Sequence, residues 1–252
     1  MTASLLKSIL VALLFLAWTA ASASEPLRGE VRLAATASAL LGEEAAAMFG
    51  SALDPEEAVE WELYVPDGYD PSSPPGLLVF ISPIDSGRMP GRYKPVMDEK
   101  NLIWIGANQS GNRVRVARRM SLALLATVLA DSHFRIDPAR VYVSGFSGGG
   151  RTASAVAPEY AQIFKGAIYI CGVNFWDARK PELMDMVRDN RYVFLTGSKD
   201  FNRSETRRVH RAYRRADVED VLLLEVAGMD HRMPPMEDLA TAIDFLDATP
   251  AL

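Results

Sequence analysis

Val141-Tyr142-Val143-Ser144-Gly145-Phe146-Ser147-Gly148-Gly149-Gly150-Arg151-Thr152-Ala153 is the stretch that decides how the rest of the chain is read. An apolar run of strand length, Val141 to Ser144, passes through Gly-x-Ser-x-Gly into a plausible helix start near Gly149. In so sharp a strand-to-helix turn the serine is strained and its Oγ projects clear of the backbone, so neighbouring positions must be small. Glycines at 145, 148 and 149 provide that room. A glycine-rich turn of this kind can also hold a phosphate on helix N–H groups, but the Lys-Ser/Thr ending of a phosphate loop is missing.

A serine hydroxyl is a poor nucleophile until an imidazole takes its proton and a carboxylate orients that imidazole. The chain has 3 histidines. His133 precedes the serine, whereas the order that accompanies this motif is serine, acid, histidine. His210 lies in the arginine-rich stretch Ser204 to Arg215 and is expected on a solvated helix face. His231, in Ala227-Gly228-Met229-Asp230-His231, follows an apolar run, where a loop at a strand's carboxyl end places a site. The base is therefore His231. Asp200, in Thr196-Gly197-Ser198-Lys199-Asp200, follows the preceding apolar run and is the expected acid. Asp230 competes, but beside His231 in sequence it would have to fold back to reach the far ring nitrogen.

Outward from this turn, apolar runs alternate with helix-length stretches from Val59 onward. Strands are expected over Val59 to Val65, Leu77 to Ile81, Leu102 to Ala107, Val141 to Ser144, Ala167 to Ile170, Tyr192 to Thr196 and Val221 to Val226. Helices fit Val114 to Ala130, Gly149 to Ala157, Pro181 to Arg188, Ser204 to Arg215 and Met236 to Leu246. Continuous apolar runs separated by helices describe a mostly parallel sheet with helices on both faces. The turn Pro66-Asp67-Gly68-Tyr69-Asp70-Pro71 gives the sheet an antiparallel start. Residues 24–58 read as a lead-in segment, with an amphipathic helix from Thr36 to Phe49, outside a domain spanning 59–252.

The N-terminus reads as a signal peptide, residues 1–23: Lys7, an apolar run from Ile9 to Trp18, then the small-x-small site Ala21-Ser22-Ala23. The run is shorter than the roughly 20 residues a membrane span needs, so no stable membrane anchor is expected and the mature chain is exported, to the periplasm or outside the cell. With 1 cysteine, Cys171, no intramolecular disulfide is possible. Cys171 ends an apolar run and reads as a buried small hydrophobe. No cysteine and histidine spacing suits a metal. The 27 basic and 32 acidic residues are interspersed, for a net charge of -5, which gives no nucleic-acid footprint. The arginines at 203, 207, 208, 211, 214 and 215 are expected to cover a surface.

With the serine, acid and histidine loops, the stretches Leu63-Tyr64-Val65-Pro66-Asp67-Gly68-Tyr69 and Arg135-Ile136-Asp137-Pro138-Ala139-Arg140-Val141 make the chain, over about 59–247, resemble the α/β-hydrolase superfamily. Within it the likeness is to the secreted esterase and polyhydroxybutyrate-depolymerase-like branch. That resemblance implies cofactor-free hydrolysis of small or polymeric carboxylic esters through an acyl-enzyme on Ser147. It also implies an oxyanion hole. After the second expected strand such enzymes carry His-Gly and then a backbone donor, whereas this chain reads Ile81-Ser82-Pro83-Ile84, and Pro83 has no N–H. The hole then falls to the backbone N–H groups of Ile84 and Gly148. Asn174, Phe175 and Trp176, after another strand, are candidate substrate-binding residues; Asn108, Gln109, Asn112 and Arg113 read as a solvated loop. A triad does not name the bond it cuts. A peptidase, a lactone hydrolase and an exported binding protein on the same fold remain alternatives.

Overall fold

The computed structural model describes residues 27–174 and 181–248. The expected signal peptide lies outside these, as do Phe175 and Trp176. Eight strands are described: β1 (Gly29–Ala35), β2 (Val59–Val65), β3 (Gly76–Ile81), β4 (Leu102–Ala107), β5 (Val141–Phe146), β6 (Gly166–Ile170), β7 (Arg191–Gly197) and β8 (Val221–Val226). They form one sheet in the order β1-β2-β4-β3-β5-β6-β7-β8. β1 and β2 are antiparallel to their neighbours, Ala35 facing Val59 and Trp61 facing Ala107, and every pairing from β4 to β8 is parallel. The antiparallel start is thus present.

The central strands β3, β4 and β6 are buried at every residue, the reason their sequences are continuous apolar runs rather than alternating ones. Helices cover both faces. On one lie α1 (Ala37–Leu41), α2 (Glu43–Ala46), α4 (Val116–His133), α5 (Gly148–Glu159), α6 (Pro181–Arg188) and α7 (Arg203–Arg215); on the other lie α3 (Lys94–Glu99) and α8 (Met236–Asp247). Each face has its own apolar core, the second built around Trp104, whose ring stacks on Phe80 at 4.3 Å. A buried ring of this size contributes about 2–3 kcal/mol.

The lead-in boundary at residue 59 is corrected. β1 pairs with β2 along its whole length, and Ala37, Ala46, Phe49 and Leu53 belong to the core. Exposure alternates along β1, with Glu30 and Arg32 outward and Val31, Leu33 and Ala35 half-buried against the core. That is an edge strand with one wet face, written in a period of two that the alanines blur. The single helix expected from Thr36 to Phe49 is broken at Gly42 (φ 80°, ψ 157°). Thr36 caps its first piece by accepting from Ala39 N at 3.0 Å.

Two smaller differences concern helices. α4 starts two residues later than expected, because Val114 N donates to Gly111 O in a turn and Arg115 is extended. α3 has six residues, too few to show a helical period.

Candidate active site

The sheet's topology sets the ends of β5, β7 and β8 along one edge, with β6 between β5 and β7, and the site is built from the loops that leave those three strands. Ser147, directly after β5, has φ +55° and ψ −119°, a conformation that L-residues adopt only under constraint. Two constraints are visible. Ser147 N donates to Ile170 O at 2.8 Å, tying the turn to the end of β6. The turn also packs against backbone: a Cβ on Gly149 would lie 1.8 Å from Ile81 O, and one on Gly145 2.4 Å from Gly149 C. Side chains at these positions would push the serine out of place.

The acid and histidine loops are joined to each other. Ser198 N donates to Val226 O at 2.9 Å, Lys199 N to Met229 O at 2.9 Å and Gly228 N to Ser198 Oγ at 2.8 Å. Met229 is buried between them. These bonds set Asp200 and His231 at a fixed separation.

The three expected side chains meet. His231 Nδ1 lies 2.8 Å from Asp200 Oδ1, and its Nε2 lies 2.9 Å from Ser147 Oγ. A carboxylate only accepts, so Nδ1–H donates and Nε2 is left to accept the serine proton. Asp200 is further held by Thr196 Oγ1 at 2.7 Å and by Asn202 N at 3.1 Å. Burial pushes the Asp200 pKa up, but hydrogen bonds from Thr196, Asn202 N–H, His231 and Cys171 outweigh it, and the carboxyl sits below its ordinary value. Asp230, the competitor, is exposed and pairs with Arg232 Nε at 3.2 Å. Chain order therefore chose the carboxylate that touches the ring.

The remaining histidines are elsewhere. His133 ends α4, its Nδ1 2.9 Å from Ser132 Oγ. His210 differs from its expected solvated face: it is half-buried, its ring edge-on to Phe194 at 5.4 Å, and burial lowers its pKa. The arginines of α7 do lie at the surface, Arg203 and Arg207 both on Glu225.

Gly148 N is the first helical N–H of α5 and has no acceptor among the described residues, as an oxyanion donor requires. Ile84 N donates to Ser82 Oγ at 3.2 Å, so a substrate oxygen there would share or replace that bond. Pro83 does not leave the loop adrift, since its carbonyl accepts from Asn112 N at 3.0 Å. In a trans peptide the C=O and the next N–H point opposite ways; fixing Pro83 O thus fixes the direction of Ile84 N–H. Asn112, read as part of a solvated loop, brackets this corner: its Oδ1 would lie 2.0 Å from a Cβ on Gly148.

Asn174 offers its amide to α5, with Nδ2 donating to Arg151 O at 3.2 Å and Oδ1 accepting from Arg151 Nη1 at 3.4 Å. It is exposed but already engaged. Two aromatics that sequence reasoning passed over flank the imidazole instead: Phe201 at 4.1 Å, nearly parallel, and Phe146 at 5.0 Å. Both are chain neighbours of triad residues, the signal that could have found them. Cys171 is buried, and its Sγ lies with Asp200 and His231 in a trio of donor atoms within 4.8 Å of one another. Burial, then the Asp200 charge, pushes its pKa up. A protonated thiol beside an imidazole engaged at both nitrogens is a poor metal site.

The fold and these loops define the class: the protein has the α/β-hydrolase fold, with a serine, histidine and aspartate in the order and places that fold gives to a triad. Over residues 122–249 the sequence matches the prolyl oligopeptidase family, and the chain belongs to that family. No curated protein matches the sequence. Among solved structures it is similar to the feruloyl esterase module of Clostridium thermocellum (TM-score 0.65, 14% identity, 86% of this chain and 87% of that one). It is also similar to a ferulic acid esterase (0.62, 12%, 87% and 99%). A third similar structure is Porphyromonas gingivalis dipeptidyl peptidase 4 (0.56, 18%), of which 75% of this chain covers 33%.

Proposed function

We propose that the protein is a serine hydrolase that cleaves carboxylic esters through an acyl-enzyme on Ser147. The observation that carries this is one imidazole bonded at both ends, 2.8 Å to Asp200 and 2.9 Å to Ser147. Ser147 Oγ attacks the ester carbonyl as His231 Nε2 takes its proton, and the carbonyl oxygen becomes an oxyanion held by Gly148 and Ile84 N–H. Collapse expels the alcohol, which leaves with the proton from His231. Water then attacks the acyl-enzyme by the same route, releasing the acid and restoring Ser147. Every group in the cycle belongs to this chain, to the ester or to the attacking water, and the proposed cycle uses no cofactor.

The esterase reading is supported by structural likeness that runs nearly end to end with the two feruloyl-type esterases but covers a third of the peptidase. Peptide cleavage is the second reading, favoured by the family match. Turnover of p-nitrophenyl acetate and of a prolyl p-nitroanilide, with Ser147→Ala as control, tests both. Ester turnover abolished in Ser147→Ala supports the proposal. Anilide turnover exceeding ester turnover moves the reading to the peptidase, and absence of both points to a binding protein.

Export is part of the same proposal. It rests on Lys7, the apolar run Ile9 to Trp18 and Ala21-Ser22-Ala23. No described helix is long and apolar enough to cross a membrane. N-terminal sequencing of the processed protein should begin at Ser24; a chain that keeps Met1 contradicts it.

A further inference from the structure

Arg119 is a cation in the interior. Its residue is 3% exposed, burial holds its pKa below the usual guanidinium value, and among the described residues no carboxylate pairs with it. A buried charge without a counter-ion is costly unless its hydrogens are taken up by well-placed acceptors. The acceptors here are three backbone carbonyls: Ser110 O from Nε at 2.7 Å, Ser82 O from Nη2 at 2.8 Å and Gly148 O from Nη1 at 3.1 Å. These carbonyls follow β4, β3 and β5, three strands adjacent in the sheet. One planar group thus joins three separate loops, which an ammonium on a flexible stem does not reproduce.

Two of those segments, after β3 and β5, carry the oxyanion donors. Ser82 and Gly148 flank Ile84 and the N-terminus of α5. The Ser110 segment in turn grips the Ile84 loop, with Gln109 N donating to Asp85 O at 3.1 Å, Gly111 N to Asp85 Oδ1 at 3.1 Å and Asn112 N to Pro83 O at 3.0 Å. We infer that Arg119 is a positioning residue for the oxyanion hole: its guanidinium sets the distance between the Ile84 and Gly148 N–H groups while touching neither substrate nor Ser147. The inference rests on the ester-hydrolase reading for its consequence, though not for its geometry.

Three variants and two readouts test it. In Arg119→Lys and Arg119→Met, kcat for p-nitrophenyl acetate should fall about 100-fold, the loss typical of one oxyanion donor, with KM changed by less than about threefold. Amide exchange at residues 82–85 and 109–112 should quicken in both, while exchange in β5 to β7 stays as in wild type. In Arg119→Ala, added guanidinium should restore part of kcat and slow the loop exchange again; methylammonium should do neither. Unchanged exchange in residues 82–85 overturns the inference, as does a fall in rate that comes entirely through KM. Exchange quickened throughout the sheet overturns it too, assigning Arg119 to overall stability. If wild type proves inactive on esters, the functional proposal fails, and the exchange arm still decides whether Arg119 orders these loops.

Discussion

The ring of Phe201 lies 4.1 Å from that of His231 at an interplanar angle of 30°, and 75% of Phe201 is exposed. An aromatic face left in solvent beside the general base offers an apolar wall to a bound substrate. An aromatic pair adds about 0.5–1.5 kcal/mol beyond its burial. Phe201→Ala should therefore lower kcat/KM for an aromatic ester about 3- to 10-fold relative to acetate. Its melting temperature should match wild type, because so exposed a ring adds little to the core. Equal loss on both esters contradicts a substrate-facing role.

Asp200 and Asp230 separate cleanly by substitution. Asp200→Asn leaves the imidazole without its orienting carboxylate and should cost about 10⁴ in kcat. Asp230→Asn removes an exposed ion pair with Arg232, worth at most about 1 kcal/mol, and should stay within a few-fold of wild type. Steady-state rates on folded proteins decide it; a larger loss at Asp230 reverses the assignment.

Asp200 also leaves a signature in acid. Its carboxyl is held below its ordinary value in the folded protein. A group depressed in this way stabilises the fold fully above its unfolded pKa, about 3.9, and loses that contribution as pH falls through the folded value. The difference in urea midpoint between wild type and Asp200→Asn should be flat from about pH 7 to 5 and shrink below about pH 4. A difference that widens in acid contradicts the sign.

Gly149 tests how tightly the serine turn is packed. A methyl group there meets Ile81 O at 1.8 Å, whereas at Gly91 nothing lies within 4 Å. Gly149→Ala should lose more than about 3 kcal/mol or fail to accumulate, and Gly91→Ala should stay within about 0.5 kcal/mol. Chemical denaturation of the two proteins gives the comparison; a stable, active Gly149→Ala protein contradicts this packing.

Cys171 is buried against Asp200 with its pKa pushed up, so it is a thiol and shielded. Iodoacetamide at pH 8 should leave folded protein unmodified and alkylate it in urea. Rapid alkylation of the native state would place Cys171 in solvent.

The central strands were legible because burial on both faces leaves continuous apolar runs, and β2 and β8, less fully buried, still carry enough large apolar side chains to read as strands. β1 was not, since Ala34 and Ala35 blur its alternation and its pairing with β2 is a long-range choice. The triad was readable from one motif and a chain order, and the geometry joins all three residues. Arg119 was invisible for a different reason. In sequence it is one of several arginines between 113 and 119, and its acceptors are backbone carbonyls 9, 29 and 37 residues away. No residue type marks a carbonyl as an acceptor, so only the fold reveals the clamp. Phe201 was missed because an aromatic after Asp200 reads equally well as core.

The central claim is that Ser147 is the nucleophile, activated by His231. A fluorophosphonate probe followed by peptide mapping tests it in one step. Wild type should gain one adduct, on Ser147, lost in Ser147→Ala and slowed by orders of magnitude in His231→Ala. An adduct that persists in Ser147→Ala, or a wild-type protein that takes none, contradicts the account.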